Sequence, residues 1–125
     1  MKKNESAENY LEAILILQRK NGVVRNMDIA THLGFSRPSV TIAMKNLLAN
    51  GYVAIENDSI ALTDSGRAVA EKVYDKHNVI AGFLTDIGVS PDVALSDACK
   101  IEHDLSDESY ECIKAYYHNL KSKNS

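Results

Sequence analysis

The stretch Ala30-Thr31-His32-Leu33-Gly34-Phe35-Ser36-Arg37-Pro38-Ser39-Val40-Thr41 decides how the amino-terminal half of this chain folds. Ala30 is small enough for two helices to approach closely. Gly34 turns the chain, and Val40 packs the second helix back onto the first. Those spacings describe a helix-turn-helix. Ser36 caps the second helix, and Pro38 in its first turn is tolerated because no internal donor is needed there. The second helix thus opens with Ser36, Arg37, Pro38, Ser39 and Thr41, whose polar members can reach base edges or phosphates in a major groove. Lys45, one turn on, and Arg25, ahead of the motif, are placed to reach phosphate.

Outward from the motif, residues 5–20 read as an amphipathic helix, with Tyr10, Leu11, Ile14, Leu15 and Leu17 on its buried side and Asn21-Gly22 as its stop. A short helix spans roughly Met27 to Leu33, and the reading helix runs to about Ala49, before Asn50-Gly51. Tyr52-Val53-Ala54-Ile55 and Ser59-Ile60-Ala61-Leu62, joined through Glu56-Asn57-Asp58, form a small hairpin that makes the motif winged. Thr63-Asp64 starts a long helix with Val69, Val73, Ile80 and Leu84 on one stripe, closing at Gly88. Ser90-Pro91-Asp92 opens another helix. Ser106-Asp107-Glu108 caps a last one carrying Tyr110, Ile113, Tyr117 and Leu120, and the terminal Lys121-Ser122-Lys123-Asn124-Ser125 is expected to fray. The fold class expected is mainly α: a winged helix-turn-helix DNA-binding domain over residues 1–72, then an all-α dimerisation and metal-binding domain over 73–125.

The 125 residues carry 45% apolar and 25% charged side chains, ordinary for a globular chain, and no run approaches a membrane span. The start Met-Lys-Lys-Asn-Glu lacks the apolar run of a signal peptide, so a cytoplasmic protein is expected. Cys99 and Cys112 are too few for a disulfide framework and are expected as reduced thiols. The net charge of −3 argues against a nucleic-acid partner only until its distribution is examined. Between Arg19 and Ile55, five cations (Arg19, Lys20, Arg25, Arg37, Lys45) face Asp28 alone, whereas from His77 onward eight acids outnumber four lysines. Opposite charge in two segments indicates separate tasks.

The second task is written in Cys99-Lys100-Ile101-Glu102-His103. On a helix the i, i+3, i+4 offsets place a thiol, a carboxylate and an imidazole over one patch. That mixture of soft, hard and borderline donors suits a transition-metal ion. Two further groups of donors lie upstream: Asn9 and Glu12, one turn apart on the first helix, and His77 midway along the long helix. Taken singly each has a plainer explanation, His77 as a core histidine on the Val73–Ile80 stripe and Cys99 as a small buried residue. Together they favour a site.

These residues resemble the iron- and manganese-dependent repressors of the diphtheria toxin repressor and manganese transport regulator type. The resemblance covers almost the whole chain. It rests on Glu8-Asn9-Tyr10-Leu11-Glu12, Ser36-Arg37-Pro38-Ser39-Val40-Thr41, Leu62-Thr63-Asp64-Ser65-Gly66, His77, and the run Asp97-Ala98-Cys99-Lys100-Ile101-Glu102-His103-Asp104-Leu105-Ser106. It implies a homodimer that binds operator DNA when loaded with a divalent metal and represses metal-uptake genes, in a short form without the SH3-like domain of larger members. It also implies Glu12, His77, Glu102 and His103 as ligands of the manganese-type site. Cys99 stands where iron-type members have cysteine and manganese-type ones glutamate. Asn9 stands where the family has aspartate or methionine. Ala81 and Leu95 replace two ligands of the iron-type ancillary site, so that version of a second site is not expected.

A thiolate at Cys99 shifts the expected preference to softer ions, iron(II) first and manganese(II) second, with zinc or cobalt able to substitute. The mechanism expected is that an ion joining Glu12 to His77, Glu102 and His103 sets the spacing of two reading heads one helical turn apart. Neither a membrane partner nor a small organic ligand is expected. Three rivals follow from the same residues: a winged-helix regulator sensing oxidation through Cys99 without metal control, a protein-interaction module, and a small metalloenzyme. The last lacks a nucleophile or phosphate loop, and no enzymatic activity is expected.

Overall fold

The computed structural model describes the backbone of residues 2–124 and the side chains of residues 6–119. Six helices and one hairpin follow in the order α1 (Lys2–Asn21), α2 (Asn26–Leu33), α3 (Arg37–Ala49), β1 (Val53–Glu56), β2 (Ser59–Leu62), α4 (Asp64–Asp86), α5 (Pro91–Ile101) and α6 (Asp107–Asn124). The backbone of α6 is helical as far as Asn124, Ser125 lies outside the described residues, and Leu120 lies outside the described side chains. The chain divides into two compact units, Met1–Lys72 and Val73–Ser125, with α4 contributing residues to both.

In the first unit α1 supplies the floor of the core through Leu11, Ile14 and Leu15, each 0–1% exposed. Val24, Ile29, Val40, Met44, Val53 and Ile60 close over it. Gly34 takes a left-handed φ of 72° and donates its N–H to Ala30, the backbone turn that brings α2 and α3 together. Ser36 accepts a hydrogen bond from the Ser39 N–H at 3.3 Å, and Pro38 sits in the first turn. The hairpin is antiparallel, with Val53 opposite Leu62 and Glu56 opposite Ser59. Asn57 and Asp58, at φ 52° and 66°, form its tip, the two positive angles that a tight hairpin turn requires. Ile60 donates its N–H to the Val24 carbonyl, which fastens the wing to the segment between α1 and α2.

In the second unit Ile80, Ala81 and Ala98 form a buried cluster with Leu84 and Leu105 packed against it. Small residues at the contact let α4 and α5 approach closely. Val69, expected on the same stripe as Val73 and Ile80, is half-buried. Tyr110 of α6 donates its hydroxyl to Asp75, and Lys114 stands 3.0 Å from the same carboxylate oxygen. Burial and the adjacent Asp75 carboxylate raise the Tyr110 phenol well above its ordinary value. Among the described residues no helix is long and apolar enough to cross a membrane.

Candidate metal centre and nucleic-acid interface

Of the run Cys99, Glu102 and His103, only Cys99 lies within α5, which ends at Ile101. Glu102 occupies the cap position, still with helical dihedral angles, and donates its N–H to the Ala98 carbonyl. Its side chain therefore keeps the helical relation to Cys99. His103 lies in the turn over residues 102–104, in which Asp104 and Leu105 both donate to the Ile101 carbonyl. The next helix opens at Asp107, with the Ser106 hydroxyl accepting from the Ser109 N–H.

The tertiary fold brings a second imidazole, that of His77, from α4. Ligand atoms of His77, Cys99 and Glu102 all lie within 4.8 Å of one another. The Glu102 side chain is fully buried, with His77 Nδ1 3.0 Å from Oε2, a hydrogen bond when that nitrogen carries the proton. Its other oxygen, Oε1, accepts no hydrogen bond among the described residues, although the buried His103 ring brings Nε2 to 3.4 Å. A buried carboxylate with an unsatisfied oxygen is costly unless positive charge compensates it. An imidazole nitrogen, a thiol sulfur and an oxygen of that carboxylate lying this close together are the donors a divalent transition metal takes, so these residues fit such an ion.

Of the other expected ligands, Glu12 is 8% exposed on α1 and Asn9 half-buried one turn before it, both in the first unit. Ala81 is buried and Leu95 exposed, and neither residue type can ligate a metal.

The residues expected to face DNA lie on α3 and its cap and just ahead of α2. Arg25, Ser36, Arg37, Pro38, Ser39 and Lys45 are all exposed. Thr41 is half-buried, and its hydroxyl accepts a long hydrogen bond of 3.4 Å from the Asn26 side-chain amide, which ties α3 to α2. Arg25, Arg37 and Thr41 line a groove that the wing closes with Ile55, Asp58 and Ile60. The carboxylate of Asp28 accepts the Arg25 backbone N–H at 3.0 Å, leaving the guanidinium at the groove. Asn26 escaped the sequence reading, since a side-chain bridge between helices leaves no periodic signal.

Two domain families match in tandem: "iron dependent repressor, N-terminal DNA binding domain" over residues 3–61 and "iron dependent repressor, metal binding and dimerisation domain" over 63–124. The chain belongs to the iron-dependent repressor family. An HTH-type transcriptional regulator of Methanocaldococcus jannaschii is 37% identical over 96% of this chain and 98% of its own length. The transcriptional regulator MntR of Escherichia coli (strain CFT073) is 32% identical over 91% of this chain and 74% of its own. Among solved structures, the manganese regulator SloR superposes with a TM-score of 0.79 at 28% identity over 90% of this chain. The chain spans about half, 53%, of the SloR chain. As a member of this family the protein is a DNA-binding transcriptional regulator rather than an enzyme, with a divalent metal as cofactor and operator DNA and a second copy of itself as partners.

Proposed function

We propose that this regulator represses iron- or manganese-uptake genes when loaded with divalent metal, acting in the cytoplasm where its thiols stay reduced. The observation that carries it is the convergence of His77, Cys99 and Glu102 on a buried, incompletely satisfied carboxylate. A bound ion supplies the positive charge that compensates the buried Glu102 carboxylate, and joins His77 on α4 to the end of α5. His103 is proposed as a fourth ligand beside them, and Glu12 and Asn9 as ligands from α1. Arg25, Ser36, Arg37, Pro38, Ser39, Thr41 and Lys45 are proposed to meet DNA, with the serines and Arg37 at base edges or phosphates and Arg25 and Lys45 at phosphate. The exposed apolar side chains of the second unit, among them Ile87, Val93, Leu95 and Tyr116, are the proposed dimerisation surface.

Iron(II) is the proposed physiological ion because Cys99 offers a thiolate, and softer ligands favour it over manganese. The likeness to a manganese regulator supports manganese(II) as the second candidate. Oxidation sensing through Cys99 without metal draws no support, since the matching domain is described as metal-binding. Titration of wild type and Cys99→Glu with iron(II), manganese(II) and zinc(II) under anaerobic, reducing conditions tests the assignment. Wild type is expected to saturate with iron(II) at lower concentration than with manganese(II), and Cys99→Glu to narrow or reverse that order. The same metal ranking in both proteins refutes a role for the thiol in selectivity.

A further inference from the structure

Among the described residues Ile42 is the most exposed large apolar side chain, at 62%, and it stands on the reading helix. Its place is geometrically pointed. Val40 and Met44, two residues to either side, are buried at 0% and 2%, and each helical step of two turns a side chain by about 200°. Ile42 therefore projects almost directly away from the core. Pro38, Ser39, Lys45 and Asn46, its i±3 and i±4 neighbours, are all exposed and share that outer face. The face carries no acid anywhere along α3, and Arg37 and Lys45 flank it at its start and further on. With so much of its surface left in solvent, this isoleucine gains little from folding. A basic, acid-free surroundings matches one occupant, the major groove of a polyanionic duplex.

In that groove the one apolar group presented by a natural base pair is the thymine 5-methyl. We infer that Ile42 is a specificity-determining residue that reads a thymine methyl group in each operator half-site, alongside the polar contacts proposed for Arg37 and Ser39. The inference rests on the DNA-binding function above. It adds to that function a base preference at one position which hydrogen bonding cannot impose.

The test begins by selecting bound fragments from a randomised duplex pool with the full-length protein and manganese(II). In the selected operator each thymine is then replaced singly by uracil, which deletes the methyl and changes nothing else. At one position per half-site the replacement is expected to weaken wild type roughly fourfold, the affinity equivalent of one buried methyl group. Ile42→Ala is expected to bind thymine and uracil operators there equally, and to melt at the wild-type temperature because the side chain is exposed. Ile42→Val is expected to retain part of the discrimination. Two results overturn the inference: no thymine whose methyl loss costs wild type affinity, or a cost that persists unchanged in Ile42→Ala. Selection of no fragment at all overturns the DNA-binding function itself, and the inference with it.

Discussion

Replacing Gly66 by alanine should destabilise the first unit, although alanine is ordinarily the better helix former. Gly66 lies in the first turn of α4, and a Cβ built there would sit 1.9 Å from the Tyr52 carbonyl oxygen and 2.9 Å from its carbon. Those are backbone atoms, so no side-chain rotation relieves the overlap. Contact distance is restored only by moving the helix or the strand entry by more than an ångström. The same carbonyl accepts the Thr63 N–H at 3.1 Å, while Thr63 Oγ1 donates to the Gly51 carbonyl at 2.6 Å and accepts from Gly66 at 3.2 Å. Displacement therefore strains a connected set of bonds at the base of the wing. Overpacking costs about 1–3 kcal/mol. A weakened hydrogen bond adds about 1 kcal/mol, and removing a helical glycine returns about the same amount. The net is about 2 kcal/mol, or a fall in melting temperature of roughly 6–12 °C for a chain of this size. Thermal unfolding at fixed protein concentration measures it, with Ser65→Ala, at an exposed neighbouring position, expected to stay within about 0.5 kcal/mol of wild type. A Gly66→Ala protein melting at or above the wild-type temperature would refute the close approach.

Glu102→Gln keeps the shape of the buried side chain but removes the charge a cation needs. It should abolish the metal-dependent rise in operator affinity, about 5- to 150-fold for a coupling of this kind, while sedimentation still reports a dimer. Arg37→Ala should weaken operator binding and lower the magnitude of the salt dependence by about one if the guanidinium meets phosphate, whereas an unchanged slope with relaxed base preference would place it at a base edge. Burial and the Asp75 carboxylate raise the Tyr110 phenol, so its contribution is complete below the ordinary tyrosine value near 10 and is lost as pH rises beyond it towards the folded value. Urea unfolding between about pH 8 and 11 should therefore show wild type losing more stability than Tyr110→Phe; parallel pH profiles would contradict the assigned hydrogen bond.

Local chemistry made much of this molecule legible in the chain itself. Ala30, Gly34, Ser36, Pro38 and Val40 act through short-range sterics and capping, so the helix-turn-helix follows from their spacing alone. The wing was equally plain, since Asn57-Asp58 between two short alternating runs tolerates the left-handed backbone of its tip. The charge difference between the two segments needed only addition.

What required the folded chain was everything that depends on residues distant in sequence. The reading of Cys99, Glu102 and His103 as one helical patch extended the periodicity past Ile101. The helix stops at Ile101, and no local signal in the run itself marks that stop. In exchange, packing of α4 against α5 through Ala81 and Ala98 brings His77 to Cys99 and Glu102 across more than twenty residues of sequence. The outward aim of Ile42 likewise emerged only once Val40 and Met44 were seen buried. Helix registers and turns arise from neighbouring residues and can be read in order along the chain, whereas a ligand set or an exposed face exists only where packing decides which side chains share a point in space.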